Sequence, residues 1–298
     1  MIYEKGPNLN FSAYRTEIEK ALHLATEKMG PKTRLRDACE YALFSGGKRL
    51  RPILVLMIAR ALDRRSDAMQ AALSVEFFHT SSLIADDLPC MDDDDERRGK
   101  PSLHKAFNQG IALLASYTLI ASGYEGIYQN GQRMKQIPHM SHQADKATLG
   151  CLEIATRCAG IHGATNGQFL DLYPPDKTLQ TMEKVILQKT ITLFQISFVF
   201  GWLFGGGNSA HTLEVEKAAY HLGMAFQIAD DMQDAAQDSD REGAMNFTLA
   251  MGSQEATSRF HLEMNLFENQ LQKLGIWNEE FEEIANLLRK KGGNPPSF

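Results

Sequence analysis

Two clusters of acidic side chains are the residues whose type and spacing could best do chemistry. The first lies in SSLIADDLPCMDDDDERRGKPSL, residues 81–103, where seven carboxylates fall between Asp86 and Glu96. Carboxylates packed this closely repel one another unless cations lie among them. Several hard oxygen ligands suit Mg²⁺, which often binds through one or two carboxylates together with the phosphates of a substrate. The first cluster therefore predicts a divalent-metal site, with a solvated acidic loop as the alternative.

The segment before this cluster positions its first two acids. Residues 71–87 carry few charges and predict a helix, which Pro89 ends because proline disfavours helical backbone at the residue before it. Asp86 and Asp87 then lie at a helix C-terminus, where the macrodipole destabilises each acid by a few tenths to about 1 kcal/mol. A bound divalent cation would reverse the sign of that effect.

A second acidic cluster falls on a predicted helix over residues 212–236. Gln227, Asp230, Asp231, Asp234 and Asp238 follow one another at positions i, i+3, i+4, i+7 and i+11, so they share one helix face. No Lys or Arg occurs between positions 217 and 241 to neutralise them within the helix. Because the residues around this face are apolar, a bound cation explains the cluster better than a solvated acidic stripe does.

A basic counterpart lies in SGGKRLRP, residues 45–52. Two glycines permit close approach of the backbone, three cations (Lys48, Arg49 and Arg51) follow, and Pro52 suits the first turn of a helix. Free N–H groups, the helix dipole and cations at one helix N-terminus form an anion site, most naturally for a phosphate. The GxxxxGK[ST] spacing of a Walker A loop is absent. A solvated basic turn is the alternative.

Composition argues against several classes of partner. The formal net charge is -6 and the basic residues are dispersed, so we expect no nucleic-acid surface. Four cysteines without CxxC spacing predict reduced, buried thiols in a cytoplasmic protein. The N-terminus lacks a basic segment followed by an apolar core, so no signal peptide is expected. The apolar run 191–204 is shorter than the about 18 residues of a membrane span and predicts a core helix.

The chain as a whole predicts a single all-α domain over residues 1–298. No linker divides it, and no segment alternates with a period of two, so we expect no sheet and ten or more helices packed around a central substrate cavity. Lys189 and Thr190 fall inside one apolar helix, where a lone Lys usually extends its charge to solvent. A Gly-broken segment covers residues 159–172, and helices cover approximately residues 11–29, 33–44, 52–62, 68–87, 102–128, 138–158, 178–204, 212–236, 253–274 and 277–291.

Four motifs in this order and spacing resemble those of the trans-isoprenyl diphosphate synthases, most closely the bacterial farnesyl and geranylgeranyl diphosphate synthases. They are GGKRLRP, DDLPCMD followed by DERRGKP, KT, and FQIADDMQD. The resemblance runs from about Phe11 to the C-terminus. It implies the isoprenoid synthase fold and head-to-tail condensation of isopentenyl diphosphate with an allylic diphosphate (dimethylallyl, geranyl or farnesyl). It also implies a homodimer, with which the many apolar positions over residues 102–128 agree.

The resemblance further assigns roles to individual residues. Arg97 and Lys189 would bind the allylic diphosphate beside the metal ions, and Thr190 and Gln227 would direct oxygens toward the allylic cation. The residues that would hold three Mg²⁺ ions are Asp86, Asp87, Asp92, Asp230, Asp231 and Asp234. The residues that would bind the diphosphate of isopentenyl diphosphate are Gly47, Lys48, Arg51, His79 and Arg98.

Three positions depart from the family pattern. Ala85 stands where bacterial members often have His, Gln233 replaces an aliphatic residue of the second motif, and Ala244 stands where a Lys is expected. Loss of one cation should weaken binding of the allylic diphosphate by about 1.5 to 3 kcal/mol. The metal ligands are retained.

Two other functions fit parts of this pattern. A non-catalytic partner subunit of a prenyl diphosphate synthase would explain Ala244, but two intact acidic clusters argue against it. A class I terpene cyclase shares the helical fold, yet it carries an Asn/Ser/Glu triad where this chain has its second acidic cluster, and it needs no isopentenyl pocket. An assay with isopentenyl diphosphate separates the three functions.

Product length is predicted from the helix that precedes Asp86. A chain growing from the diphosphate passes side chains one and two turns earlier, and one turn rises about 5.4 Å, comparable to one isoprene unit. Ser81 and Ser82 lie one turn before Asp86, and Phe77 and Phe78 lie two turns before it. Farnesyl-forming members tend to place an aromatic ring one turn before, so we predict geranylgeranyl diphosphate as main product and farnesyl diphosphate as runner-up. Small residues that only admit a neighbouring helix are the alternative.

Overall fold

The computed structural model describes residues 11–238 and 246–292. Within these ranges the chain forms fourteen α-helices and almost no strand, so the predicted all-α class is confirmed. Position 244, one of the three departures, lies outside the described residues. The helices are α1 Phe11–Lys28, α2 Arg34–Leu43, α3 Leu50–Leu62, α4 Met69–Asp86, α5 Leu103–Ala106, α6 Gln109–Lys135, α7 Ala144–Ala159, α8 Ala164–Leu172, α9 Leu179–Val185, α10 Thr192–Phe204, α11 Thr212–Asp238, α12 Phe247–Met251, α13 Ser253–Lys273 and α14 Glu279–Lys291.

The expectation of no sheet is wrong in one detail. Two strands of two residues each, β1 Glu96–Arg97 and β2 Lys100–Pro101, pair antiparallel. Arg98 (φ 57°) and Gly99 (φ 74°) make the turn between them, and positive φ at both central residues is what a tight hairpin turn requires. Strands of two residues are too short to show the alternation of apolar and polar side chains by which a sequence predicts a strand.

Two predicted helix boundaries also differ from the structure. The helix expected over residues 102–128 is broken at Asn108, whose side chain accepts a hydrogen bond from the Ile111 N–H (2.8 Å) and caps α6. The segment expected to be broken by its glycines contains the regular helix α8. Two short 3₁₀ turns, Ser141–Gln143 and Ser209–His211, precede α7 and α11. A π-helical turn, Ile186–Ile191, joins α9 to α10.

Helix α10 forms the centre of the core. Every residue of α10 except Gln195 is buried, and the helix contacts α3, α4, α7 and α11. Among the described residues, one continuous helical stretch, Leu179–Phe204, is long and apolar enough to cross a membrane, and 72% of its most apolar window is buried inside the protein. That burial is the pattern of a core helix, which is what the sequence predicted for this run.

A buried arginine fixes the start of α3. Arg49 adopts left-handed backbone (φ 53°) and is only 3% exposed. Its guanidinium donates to Glu76 Oε1 (2.5 Å), to Glu19 Oε1 (2.8 Å) and to the Leu43 carbonyl (2.5 Å). Arg49 is one of the three cations that the sequence places at this helix start, and each of its three guanidinium nitrogens donates to a protein acceptor. The arginine thereby ties the start of α3 to α1, α2 and α4.

This ion pair generates a stability prediction. Glu76→Ala is expected to lower the free energy of unfolding by about 3 kcal/mol, because it removes one partner from a buried charge pair. Glu17→Ala is the control, because Glu17 (side chain 45% exposed) pairs with Arg60 (34% exposed) at the surface. This substitution should lower the free energy of unfolding by less than about 1 kcal/mol. Urea denaturation measures both, and equal small losses would show that the Arg49 network does not anchor α3.

Candidate active site

A largely apolar cavity of about 430 Å³ begins at the first acidic cluster and runs between helices. Its walls come mainly from α4, α6, α8 and α10, with Asp86 at one end and aromatic rings farther along. The residues that line it include Phe78, Ser81, Ser82, Ala85, Asp86, Ser116, Ile120, Tyr124, Gln168 and Lys189. A cavity of this size and lining can hold a long apolar chain whose polar end lies at the acids.

The four chain-length positions do not all line this cavity. Ser81 and Ser82 do, and their hydroxyls donate to the carbonyls of Phe78 (2.8 Å) and His79 (2.9 Å), so both present a satisfied, effectively apolar wall. Phe78 lines the cavity as well. Phe77 lies on another side of α4 and lines a separate groove against α1, because adjacent helical residues point about 100° apart.

The two acids at the end of α4 have different environments. Burial raises the pKa of Asp86 to about 6, with Lys189 opposing the shift. The Asp87 carboxylate is buried and accepts a hydrogen bond from Arg97 Nε (2.9 Å), so the hairpin holds it. Asp92 is exposed and accepts a longer contact from the Gln168 amide (3.4 Å). Asp86 therefore keeps a poorly solvated carboxyl that a cation would stabilise.

The predicted anion-binding residues converge on a second, basic pocket of about 590 Å³. Its lining includes Gly47, Lys48, Arg51, His79 and Arg98. Within the described part of the chain, Arg51 Nε and His79 Nδ1 are buried atoms without a hydrogen-bond partner. Burial lowers the pKa of Arg51 to about 10, and burial together with Arg51 and Arg98 lowers the pKa of His79 well below its usual value. An anion would stabilise the buried charge of Arg51, and a polar ligand would give His79 Nδ1 the hydrogen-bond partner that it lacks.

Arg98 is held in that pocket by the backbone of the glycine loop. It donates to the Gly46 carbonyl, and a Cβ at Gly47 would lie 2.7 Å from its Nη1. A side chain at position 47 would therefore displace the guanidinium. Gly47 acts through the space that it leaves empty, as the close-approach argument from the sequence anticipated.

The π-helical turn carries Lys189 and Thr190. A Cβ at Gly167 would lie 2.3 Å from the Lys189 backbone nitrogen, so α8 packs directly on this turn. Lys189 Nζ donates to Asp171 Oδ2 (2.5 Å). Burial works to lower the pKa of Lys189, yet the carboxylates of Asp171, Asp86 and Asp92 raise it overall. The lone lysine of the apolar helix thus pairs with an acid, and 28% of its side chain stays exposed. π-Turns of this kind are frequent at functional sites.

A hydrogen-bonded chain leads from this turn to the second acidic cluster. Thr190 Oγ1 donates to Gln227 Oε1 (3.0 Å), and Gln227 Nε2 donates to Asp231 Oδ1 (2.8 Å). Asp231 is buried and also accepts from the Phe247 backbone N–H (2.9 Å). The chain fixes the orientation of the Gln227 amide. It also commits the Asp231 carboxylate to protein donors.

The other members of the second cluster are more accessible. Asp230 forms an ion pair with Lys291 of α14, whose ammonium also lies 5.3 Å from the centre of the Phe226 ring. Asp234 and its neighbour Gln233 are exposed. The departure at Gln233 therefore faces solvent, whereas the departure at Ala85 lines the apolar cavity.

Sequence reasoning missed several residues of this site. Gln168 and Asp171 stand at i and i+3 of the Gly-broken segment. Nothing local in the sequence indicates that Gln168 contacts Asp92 or that Asp171 pairs with Lys189. The pairing of Lys291 with Asp230 had no signal at all, because it joins elements far apart in the chain. Two other acids of the first cluster, Asp93 and Asp95, form with His104 a group of potential metal ligands whose donor atoms lie within 4.8 Å of one another.

Comparison with known proteins gives consistent results. A family model described as Polyprenyl synthetase matches residues 32–246. The chloroplastic geranylgeranyl pyrophosphate synthase of Capsicum annuum is 34% identical over 242 residues, which cover 78% of this chain and 63% of that protein. The farnesyl diphosphate synthase of Geobacillus stearothermophilus is 37% identical over 220 residues, covering 73% and 71%. This chain thus spans less than two thirds of the pepper protein's length.

Solved structures show the same architecture. An apo FPP/GFPP synthase from Zymomonas mobilis superposes with a TM-score of 0.77 at 29% identity, covering 95% of this chain and all of the other. A geranyltransferase from Legionella pneumophila superposes with a TM-score of 0.78 at 26% identity, covering 95% of each chain.

The raised pKa of Asp86 predicts a pH-dependent stability in metal-free protein. Its carboxyl holds its proton to about pH 6 when folded but releases it near pH 4 when unfolded, so folding loses stability as the pH rises through this window. Asp86→Asn removes that loss and should gain about 2 kcal/mol at pH 8 but little at pH 4. Urea denaturation with chelator measures it. Asp234→Asn, at an exposed acid, is the control, and an equal gain there would contradict the assignment.

Proposed function

This chain belongs to the polyprenyl synthetase family, and from that premise we propose that it is a prenyltransferase. It condenses isopentenyl diphosphate head to tail with an allylic diphosphate. The observation that carries the proposal is the presence in one chain of an apolar cavity with an acidic end at Asp86 and of a separate basic pocket with the buried, unpartnered Arg51 and His79 atoms. One diphosphate would bind through metal ions and the other through protein cations directly.

We propose Mg²⁺ as the metal, because the donors at the acidic end are carboxylates. Asp86 fits a metal best, since burial raises its pKa and a cation would relieve that cost. Asp92 and Asp234 are exposed and would join it, and Asp230 would do so by exchanging its ion pair with Lys291 for the metal. Asp87 and Asp231 already accept hydrogen bonds from Arg97 and the Phe247 N–H, so they would position the neighbouring ligands. When bound, the ions would neutralise charge on the allylic diphosphate.

The residues of the chain would assist departure of that diphosphate. Arg97 and Lys189 are fixed cations at the acidic end, so they need little reorganisation to meet the charge that develops on the leaving group. The Thr190–Gln227–Asp231 chain orients an amide oxygen and a hydroxyl near the π-turn, where they can stabilise the allylic cation. The apolar walls of the cavity would exclude water from this cation.

The basic pocket would hold the second substrate. Gly47 leaves room for Arg98, and Arg51 and His79 offer buried N–H or ring nitrogen atoms to a diphosphate. Lys48 is exposed at the pocket's edge and would add charge that is available before the substrate is fully bound. A terpene cyclase would have no use for this pocket, which is why we favour the two-substrate condensation.

A homodimer is proposed from an apolar surface. Helices α6 and α7 contact each other and expose large apolar side chains on neighbouring turns, a surface that a second copy would cover. These side chains are Leu113, Leu114, Tyr117, Ile120, Tyr128, Leu149 and Leu152.

The first test of this proposal is a direct assay. With Mg²⁺, isopentenyl diphosphate and each allylic diphosphate in turn, the protein should form a prenyl diphosphate and release diphosphate. Asp86→Ala and Asp230→Ala should lower kcat by several powers of ten, and Lys48→Ala should mainly raise KM for isopentenyl diphosphate. Asp145→Ala removes an exposed acid and should leave both constants unchanged. Full activity in excess chelator would contradict the metal role.

The oligomeric state is measured separately. Light scattering at micromolar concentration should give twice the chain mass of 33.3 kDa. Leu114→Glu combined with Leu149→Glu should shift the mass toward the monomer, because two charges would be buried at the contact. A wild-type mass of 33.3 kDa would reject the homodimer.

We also propose geranylgeranyl diphosphate (C20) as the main product and farnesyl diphosphate (C15) as the runner-up. Ser81 and Ser82 line the cavity one turn from Asp86 and leave it open at that level. Ser81→Phe is expected to close it there and shift the product toward C15, and Ser81→Ala is the control that should not. Chromatography of the dephosphorylated products gives the distribution. An unchanged distribution in Ser81→Phe would mean that chain length is limited elsewhere.

A further inference from the structure

The apolar cavity has a second wall that runs parallel to the first. Along α4 its lining goes from Asp86 through Ser82 to Phe78, and along α6 from Ser116 through Ile120 to Tyr124, each in steps of four residues. Ser116 Oγ donates to the Ser81 carbonyl (3.0 Å), so these two residues lie at the same level. Depth in the cavity therefore increases from Ser116 to Tyr124 as it does from Asp86 to Phe78.

An aromatic pair spans the two walls at the deepest of these levels. The rings of Phe78 and Tyr124 meet edge to face, with centroids 5.2 Å apart and planes at 66°. Both side chains line the cavity, and Phe78 is only 6% exposed. Edge-to-face pairs are favourable beyond the area that they bury, so each ring restrains the other. One turn farther along α6, Tyr128 does not line the cavity but belongs to the exposed surface proposed above for a second copy, so within one chain the cavity lining ends at this pair.

The position of the Phe78 ring depends on a glycine of α6. A Cβ at Gly123 would lie 2.4 Å from Phe78 Cε1 and 2.7 Å from Cζ, so the ring rests directly on the α6 backbone. Any side chain at position 123 must push the ring away. The ring is the free end of a side chain, so it can rotate while α4 and α6 stay packed.

We propose that Gly123 and Tyr124 of α6 determine product length: Gly123 seats the Phe78 ring against α6, and Tyr124 closes the cavity beside it. Filling the seat drives the ring into the cavity and shortens the product. Removing the Tyr124 ring opens the closed end and lengthens the product. This inference rests on the proposed function, because it concerns the chain that the prenyltransferase would elongate.

The test compares product distributions of matched variants. Gly123→Ala should lower the C20 to C15 ratio at least about tenfold, the discrimination that a change of one methyl-sized group in an apolar pocket can provide. Tyr124→Ala should produce chains at least one C5 unit longer than wild type. Tyr124→Phe keeps the ring and Gly110→Ala places a methyl group at the start of α6 in ordinary contact, so both should give the wild-type distribution.

A double variant separates the seat from a general disturbance of α6. If Gly123→Ala acts by displacing the Phe78 ring, then Gly123→Ala with Phe78→Ala should no longer shorten the product, because no ring remains to be displaced. Shortening that persists in the double variant would overturn the role of Gly123 as a seat. Circular dichroism checks that each variant folds. If Gly123→Ala does not fold, the product distribution of Tyr124→Ala alone tests the inference.

Binding of unreactive analogues keeps the inference separate from the proposed function. Calorimetry with the thiolodiphosphate analogues of farnesyl and geranylgeranyl diphosphate should show Gly123→Ala losing affinity for the longer analogue by at least about tenfold more than for the shorter one. Synthesis that continues with unchanged products in Gly123→Ala and Tyr124→Ala overturns this inference and leaves the proposed function standing. If the wild type makes no prenyl product, but Gly123→Ala still loses more affinity for the longer analogue than for the shorter one, only the proposed function is overturned.

Discussion

The site depends on charge balance between elements that are far apart in the chain. Neighbouring carboxylates repel one another, and acids of the two clusters and of α8 are each met by a cation from a different element. Asp87 pairs with Arg97 of the hairpin, Asp171 with Lys189 of the π-turn, and Asp230 with Lys291 of α14. Packing of the hairpin, the π-turn and the last helix is therefore coupled to the acids.

The basic pocket is the opposite case. Arg49 is neutralised inside the core by Glu76 and Glu19, but Arg51 and His79 keep buried atoms without partners in the described residues. The molecule thus has an acidic end that attracts cations and a basic pocket that attracts anions, both adjoining one helix bundle. Two anionic substrates can then be bound by different means, one through metal ions and one through protein side chains.

The sequence predicted the parts of this site that follow from local pattern. Asp230, Asp231 and Asp234 share a helix face because of the period of the α-helix, and α10 is buried because its residues are apolar. The sequence could not predict that Arg49 turns inward, since this depends on left-handed backbone at one residue and on acceptors from three other helices. Lys291 could not be assigned for the same reason: its partner lies about sixty positions away.

The cavity shows the same division. Counting turns back from Asp86 identified Ser81, Ser82 and Phe78, all of which line it, but it also selected Phe77, which does not. Counting turns along one helix gives the position of a residue along the helix axis, but not whether its side chain faces the cavity. It also cannot reveal the opposite wall, because the level of Tyr124 is set by how α6 packs on α4.

The π-helical turn between α9 and α10 has a consequence for how this chain is compared with its relatives. An α-helix advances about 100° per residue, so one additional residue in a single turn rotates everything after it by that angle relative to a regular helix. The turn at Ile186–Ile191 brings Lys189 and Thr190 to the acids while the following apolar residues still face the core. In evolutionary terms such a turn is a one-residue insertion. A relative with a regular helix here would align with this chain only if a gap were opened between positions 186 and 191.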